Sequence, residues 1–281
     1  MSQHRIIIEP GRENNNYWRD IRKYRGLFYF LAWRDVLVRY KQTVIGVAWS
    51  VMRPLLTIVV FTFVFHNLGN FSAGESIPYA IMVCAGMLPW QFFSGAFSEA
   101  ANSLVANSNL LTKVYFPRLI VPASTVIVSL IDFFISLVIL GGLCVYYQFV
   151  PDWRIVFLPL FLMLAIVTAM GAGLFIAALN VKYRDFRYII PFIVQFGLYI
   201  SPVGFSSELI FGNESVPQYL KVIYALNPMV GVIDGFRWSI LGDGTVLHWM
   251  EFGASCGISV LLLFTGVWYF RRMEKSFADV I

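Results

Sequence analysis

Charge is scarce in this chain. Asp, Glu, Lys and Arg make up 13% of its 281 residues, where a soluble domain carries about 25%. Cysteine is scarcer still, at three residues. Cys84, Cys144 and Cys256 stand far apart in apolar surroundings, which excludes a disulfide frame and leaves them as small core residues. His4, His66 and His248 are scattered, with no acids at ligand spacing, so no metal site is expected. The chain has no G-x-S-x-G and no H-E-x-x-H. It also lacks a G-x-x-x-x-G-K-[ST] loop, so it cannot cradle ATP in the usual way. We therefore expect no enzyme and no cofactor bound by this chain. Any ATP and Mg would sit on a separate polypeptide. No short apolar run precedes the first 40 residues' basic stretch, so no cleavable signal peptide is expected.

What the chain has in abundance is apolar length. Apolar residues reach 58%, above the roughly 45–50% of soluble domains. Leu119–Tyr147 carries one charge, Asp132, and exceeds the ~20 residues that cross a bilayer. The expected fold is an all-α integral membrane protein with six spans: Val47–Leu68, Ile77–Ser98, Leu119–Tyr147, Ile155–Leu179, Ile189–Phe205 and Phe252–Phe270. Pro89, in the second span, predicts a bend or a change of direction. Gly171 and Gly173, in the fourth, predict close helix contact. Glu99–Arg118 reads as a polar inner connection and Val150–Arg154 as an outer turn.

Ten of the 21 Lys and Arg lie between Arg5 and Arg53. A nucleic-acid reading of that basic flank is rejected, because bases gathered beside a span mark the cytoplasmic side. Residues 1–46 read as a tail plus an amphipathic interface helix over Leu27–Ile45. Leu27, Phe28, Phe30, Leu31, Val38 and Ile45 would face lipid. Arg34, Asp35, Arg39, Lys41 and Gln42 would face away, with Asp35 and Arg39 forming an i,i+4 pair. Residues 47–271 form the transmembrane domain and 272–281 a cytoplasmic tail. Between spans five and six, residues 206–251 carry five acids and two bases, yet Val222–Leu241 is too apolar for a free loop. Broken at Asn227-Pro228, it reads as helices re-entering the outer leaflet, tolerated only when packed against protein or water.

Several blocks resemble the ABC-2 type permeases that export bacterial polysaccharides. They are Arg39-Tyr40-Lys41-Gln42-Thr43 with Gly46, Trp49 and Pro54; Asn107–Arg118, reading NSNLLTKVYFPR; Asn180–Asp185, reading NVKYRD; and Asn227-Pro228 followed by Arg237. The resemblance runs from about Leu27 to Lys275. It implies a homodimer that binds two copies of an ABC nucleotide-binding subunit in the bacterial inner membrane, with both termini cytoplasmic. It implies that the interface helix, with Arg34 and Arg39, and the loop Asn107, Ser108, Asn109, Leu110, Leu111 and Lys113 dock on that subunit. The implied cargo is a lipid-linked polysaccharide such as O-antigen. The extension Met1–Gly26 departs from the shortest members and leaves open where the motor meets the N-terminus.

Beside this stand readings from the residues themselves. Aromatic faces stack on sugars and release them, so Trp49, Trp90, Phe92, Phe93 and Tyr199 are candidate channel contacts. Packing between helices is the plainer alternative. Lys182, Arg184 and Arg187 would hold membrane-lipid headgroups or a cargo pyrophosphate, or simply flank the membrane. Asp234 and Arg237 form a pair that either fixes the re-entrant turn or gates the exit. Asp132 is either a packed structural acid or a proton relay. The relay would make the chain a proton-coupled carrier, against which the missing internal repeat weighs. A nearer alternative cargo is teichoic acid or another amphiphile. The topology is checked by single-cysteine labelling in intact cells. Cysteines placed near position 3 and position 279 should both stay unlabelled by an impermeant reagent, and one at position 213 should react.

Overall fold

The computed structural model describes residues 17–41, 46–68, 77–183, 185–274 and 277. An apolar run in lipid must satisfy its own backbone N–H and C=O groups, and a helix does so within one segment. The described residues are accordingly 85% helical, and no strand occurs among them. The elements are α1 (Tyr17–Lys23), α2 (Arg25–Lys41) and α3 (Gly46–Phe61), which passes into a π-helical stretch over Thr62–Leu68. Then come α4 (Tyr79–Ala106), α5 (Ser108–Lys113), α6 (Ile120–Tyr146), a 3-10 turn at Trp153–Phe157, and α7 (Leu158–Lys182). The last are α8 (Phe186–Ile200), α9 (Glu208–Phe211), α10 (Gln218–Ala225), α11 (Pro228–Leu241) and α12 (Trp249–Glu274).

Among the described residues, five helical stretches are long and apolar enough to cross a membrane: Ala48–His66, Tyr79–Ala106, Ile120–Tyr146, Trp153–Lys182 and Trp249–Glu274. α8 is apolar but only 15 residues long. α4 is the axis of the bundle. In its most apolar window 89% of residues are buried, against 11% for Ala48–His66 and 17% for α12. α6, α7, α8 and α11 all pack on it. Phe92 of α4 meets Phe133 of α6 edge-on, and Phe133 meets Phe236 of α11 the same way. A lipid-exposed span stays apolar because of its solvent; α4 stays apolar because of its neighbours.

Small residues set the closest approaches. A Cβ on Gly171 would lie 2.5 Å from the Leu262 carbonyl carbon, and one on Gly266 would lie 2.2 Å from the Gly171 oxygen. α7 and α12 therefore touch backbone to backbone. A Cβ on Gly173 would meet Ala100 of α4 at 2.8 Å, so the two expected contact glycines of α7 serve two different neighbours. Without a hydrophobic force between helices in lipid, this close packing is a main source of association.

Some boundaries move. α4 continues past Ser98 to Ala106, where a polar connection was expected from Glu99. Ala100, Ala101, Ser103 and Leu104 are buried in the bundle. The polar side chains turn back on their own helix, Ser103 onto the Ala100 carbonyl at 2.7 Å and Asn102 onto that of Ser98 at 2.9 Å. α4 is continuous through Pro89. α7 begins at Leu158, after the 3-10 turn, and α8 ends at Ile200, five residues before the expected limit. The break at Asn227-Pro228 is where it was expected. Asn227 caps α11, its Oδ1 accepting from the Met229 N–H at 3.0 Å, with Pro228 as the first helical residue. Residues 1–16, 42–45, 69–76, Arg184, 275–276 and 278–281, which include Gln42, Thr43, Ile45 and Lys275, lie outside the described residues.

Gly171→Leu should force α7 from α12 and destabilise the protein by about 1–3 kcal/mol, the usual range for overpacking. Gly141→Leu, on α6 with nothing within 4 Å of its Cβ, should leave the thermal midpoint in detergent nearly unchanged.

Candidate functional site

At the inner end of the bundle one apolar cluster gathers α2, α4, α5, α6, α7 and α12: Leu31, Leu104, Leu111, Ile120, Leu174 and Phe270. Leu111 is thus the buried anchor of α5. Leu110 and Ser108 are half-buried, and Asn109 and Lys113 are exposed. α5 presents a polar outer side while one leucine ties it to the spans.

The charges of α2 do not face away from the bundle as expected. Arg34 Nη2 donates to Asn107 Oδ1 at 2.8 Å, at the α4–α5 junction, and also to Asp35 Oδ1 at 2.7 Å. Asn107 Nδ2 in turn donates to the Ser103 carbonyl at 2.9 Å. Arg39 pairs with Asp132 Oδ2 of α6 at 2.7 Å, and its other terminal nitrogen reaches Glu99 Oε1 of α4 at 3.4 Å. Tyr40 donates to Asp132 Oδ1 at 2.6 Å. Burial first, and then the bond to Asp132, push the Tyr40 phenol up to about 12, so it stays a proton donor at neutral pH. The expected Asp35–Arg39 pair along the helix gives way to bonds between helices. Asp35 is taken instead by its neighbour Arg34 at 2.7 Å, which leaves Arg39 to the Asp132 carboxylate of α6.

The apolar face of α2 is corrected to match. Leu31 and Ala32 are buried, but Phe30 is turned outward with Tyr29 and Trp33, amphipathic rings of the kind that sit at headgroup level. Between α2, α4 and α6 lies a polar cavity of about 320 Å³, lined in part by Arg34, Asp35, Glu99, Asn102, Asn107 and Thr125.

A second polar cluster sits at the other end, where α8 stops. Arg237 of α11 is 2% exposed. Its Nη1 donates to the Phe205 carbonyl at 2.7 Å, its Nη2 to that of Val203 at 2.8 Å and its Nε to that of Met82 at 3.4 Å. Tyr79 donates to the Gly204 carbonyl. Asp234 is also buried, one helical turn from Arg237 on α11. The Arg237 donors thus go to main-chain carbonyls. Gly86 makes room for the guanidinium: a Cβ there would stand 2.8 Å from Nη2.

The other candidates are spread out. Trp90, Phe92 and Phe93 are buried in the bundle, with Trp90 and Phe93 in ring contact at 5.5 Å and Phe93 stacked on Phe97 at 5.7 Å. Trp49 of α3 and Tyr199 of α8 are exposed, by 58% and 66%. Lys182 and Arg187 are exposed near the inner turn, with Lys182 Nζ 5.1 Å from the Tyr183 ring centre. What sequence reasoning missed is the joint role of Tyr40, Glu99 and Asp132. Tyr40 and Asp132 are 92 residues apart. The available signal was a lone acid in an apolar span, which must find a partner somewhere.

The family model described as ABC-2 type transporter matches residues 26–241. The chain belongs to the ABC-2 type transporter family. It is similar to an O-antigen export system permease protein RfbA of Myxococcus xanthus, 28% identical over 268 residues that cover 94% of this chain and 98% of that protein. An O-antigen export system permease protein RfbA of Klebsiella pneumoniae is 24% identical over 88% of this chain and 92% of its own length. The capsule polysaccharide export inner-membrane protein CtrC of Neisseria meningitidis is 24% identical, covering 88% and 90%.

Arg34→Ala and Asn107→Ala, singly and together, should show non-additive stability losses in a denaturant titration. The expected coupling is about 0.5–1 kcal/mol, set by one charge-assisted bond that is partly solvated. Strict additivity would mean the bond contributes nothing.

Proposed function

We propose that this chain is the transmembrane permease subunit of an ATP-driven exporter that moves lipid-linked polysaccharide, O-antigen or a similar surface glycan, across the bacterial inner membrane. The observation that carries this reading is the end-to-end similarity to polysaccharide export permeases, 94% of this chain against 98% of the Myxococcus protein. In this reading six segments cross. α8, at ~1.5 Å per residue, falls short of the ~30 Å hydrocarbon core, and the irregular residues 201–205 complete its crossing. α9 to α11 re-enter from the outer side, and both termini are cytoplasmic. Residues 1–46 serve docking, 47–271 the crossing, and 272–281 the inner tail. Burial of 12 of the 14 residues of α11 supports a re-entrant helix sheathed in protein.

Two copies of the permease join two ATP-binding subunits, which carry the ATP and Mg. Those subunits dock on the outer side of α5, Asn109 and Lys113, and on the exposed side of α2. The conduit runs between protomers. Trp90, Phe92 and Phe93 fill the protomer's own core, while Trp49 and Tyr199 stand on its outside, where polymer or a second copy can reach them. Lys182 and Arg187 wait at the inner mouth for an anionic headgroup, a role assigned to Arg184 from its sequence position alone. A proton relay through Asp132 has less support, because both carboxylate oxygens already have partners.

Deleting the chain should leave polyprenyl-linked glycan trapped inside the cell and strip the surface of it. The purified chain should hydrolyse no ATP alone and should co-purify with an ATPase encoded beside it. Normal surface glycan in the deletion strain would refute the assignment.

A further inference from the structure

We infer that Asp132 is a positioning residue for transport, the carboxylate through which α2 grips and moves α6. The inference rests on the export reading above. α2 is 17 residues long, a rigid rod of about 25 Å. It is fixed to the bundle in two ways. Near its middle, Leu31 packs into the inner apolar cluster, and Arg34 holds Asn107 beside it. At its far end two consecutive side chains, Arg39 and Tyr40, take the two oxygens of one carboxylate at 2.7 and 2.6 Å. Between these fixings lies the polar cavity, where α2 and the spans stand apart.

Apolar contacts tolerate sliding. A carboxylate held at both oxygens by adjacent residues of another helix fixes rotation as well as position. Asp132 lies twelve residues beyond Ile120, so the grip acts about 18 Å along α6 and not at its first turn. Glu99 brings α4 into the same grip through Arg39. A push received at α5 and the start of α2 therefore reaches two spans well inside the bundle. An acid placed there by packing alone would be a liability of about 2.5–3.5 kcal/mol on insertion scales. Its retention in so apolar a helix is explained by the grip.

The test uses the full chain with its ATPase subunit, in a strain lacking the native copy. Asp132→Asn should keep membrane abundance, capture of the ATPase subunit and basal ATP hydrolysis within about twofold, and lower surface glycan about tenfold, inside the 5–150-fold span of ordinary coupling energies. Asp132→Glu should restore export to within about threefold, because it keeps both oxygens. Tyr40→Phe, which removes one of the two bonds, should fall between them. Full export by Asp132→Asn overturns the inference alone, leaving the export reading intact. Parallel loss of abundance, ATPase capture and export in Asp132→Asn, without rescue by Asp132→Glu, also overturns it, since the acid would then serve folding only. A wild-type chain whose deletion leaves surface glycan unchanged removes the export reading and the inference together.

Discussion

The outer half of the bundle depends on one buried guanidinium. α8 ends at Ile200, and the next residues leave the helical ladder with no water in lipid to meet their carbonyls. Arg237 meets those of Val203 and Phe205, Tyr79 meets that of Gly204, and the Asn227 side chain donates to Ser201 Oγ at 3.0 Å. Arginine suits the task because its planar fork presents several fixed donors and keeps its charge. The same fork reaches Met82 of α4, so the non-helical strand is fastened to the axis of the molecule and to α11 at once. Gly86 is part of this arrangement, since any side chain there would occupy the space of the guanidinium.

The inner half solves the opposite problem. There a charged helix, α2, has to be joined to apolar spans. The solution is again polar atoms turned inward, with the aromatic rings Tyr29, Phe30 and Trp33 turned out. Between the two polar ends the packing is governed by size: Gly171 against α12, Gly173 against Ala100, and phenylalanines in edge contact between α4, α6 and α11. The result is a stiff middle with specific joints at each end. Such a build can carry displacement from one face to the other, because interiors packed this tightly do not deform continuously.

Much of this was readable from the residues. Apolar length marked the five helical stretches that are long enough to span, Asn227-Pro228 marked the start of α11, and the glycines of α7 announced close contact. What escaped has a common cause. Periodicity reports which residues share a face and says nothing of what that face meets. Arg34, Asp35 and Arg39 share a polar face, yet Asn107, the far partner of Arg34, and Asp132 and Glu99, those of Arg39, lie 60 to 93 residues away. Arg237 binds main-chain carbonyls, which have no letter in the sequence. The inner third of α4 was taken for a loop because Glu99, Asn102 and Asn107 are polar, whereas their amides and carboxylate join neighbouring helices.

The two polar ends also decide where a large cargo can pass in the proposed exporter. A route through one protomer would have to open α4, whose apolar window is 89% buried, and part the rings of Trp90, Phe93 and Phe97. Removing such contacts costs several kcal/mol for each buried aromatic. Moving whole helices against lipid or against a second copy costs far less, because those faces are already apolar and exposed, as on α3 and α8. A transporter assembled this way keeps each protomer solid and changes only the space outside it. That requires a handle on the spans firm enough to move them as units, and a carboxylate seized by two residues of the docking helix is such a handle.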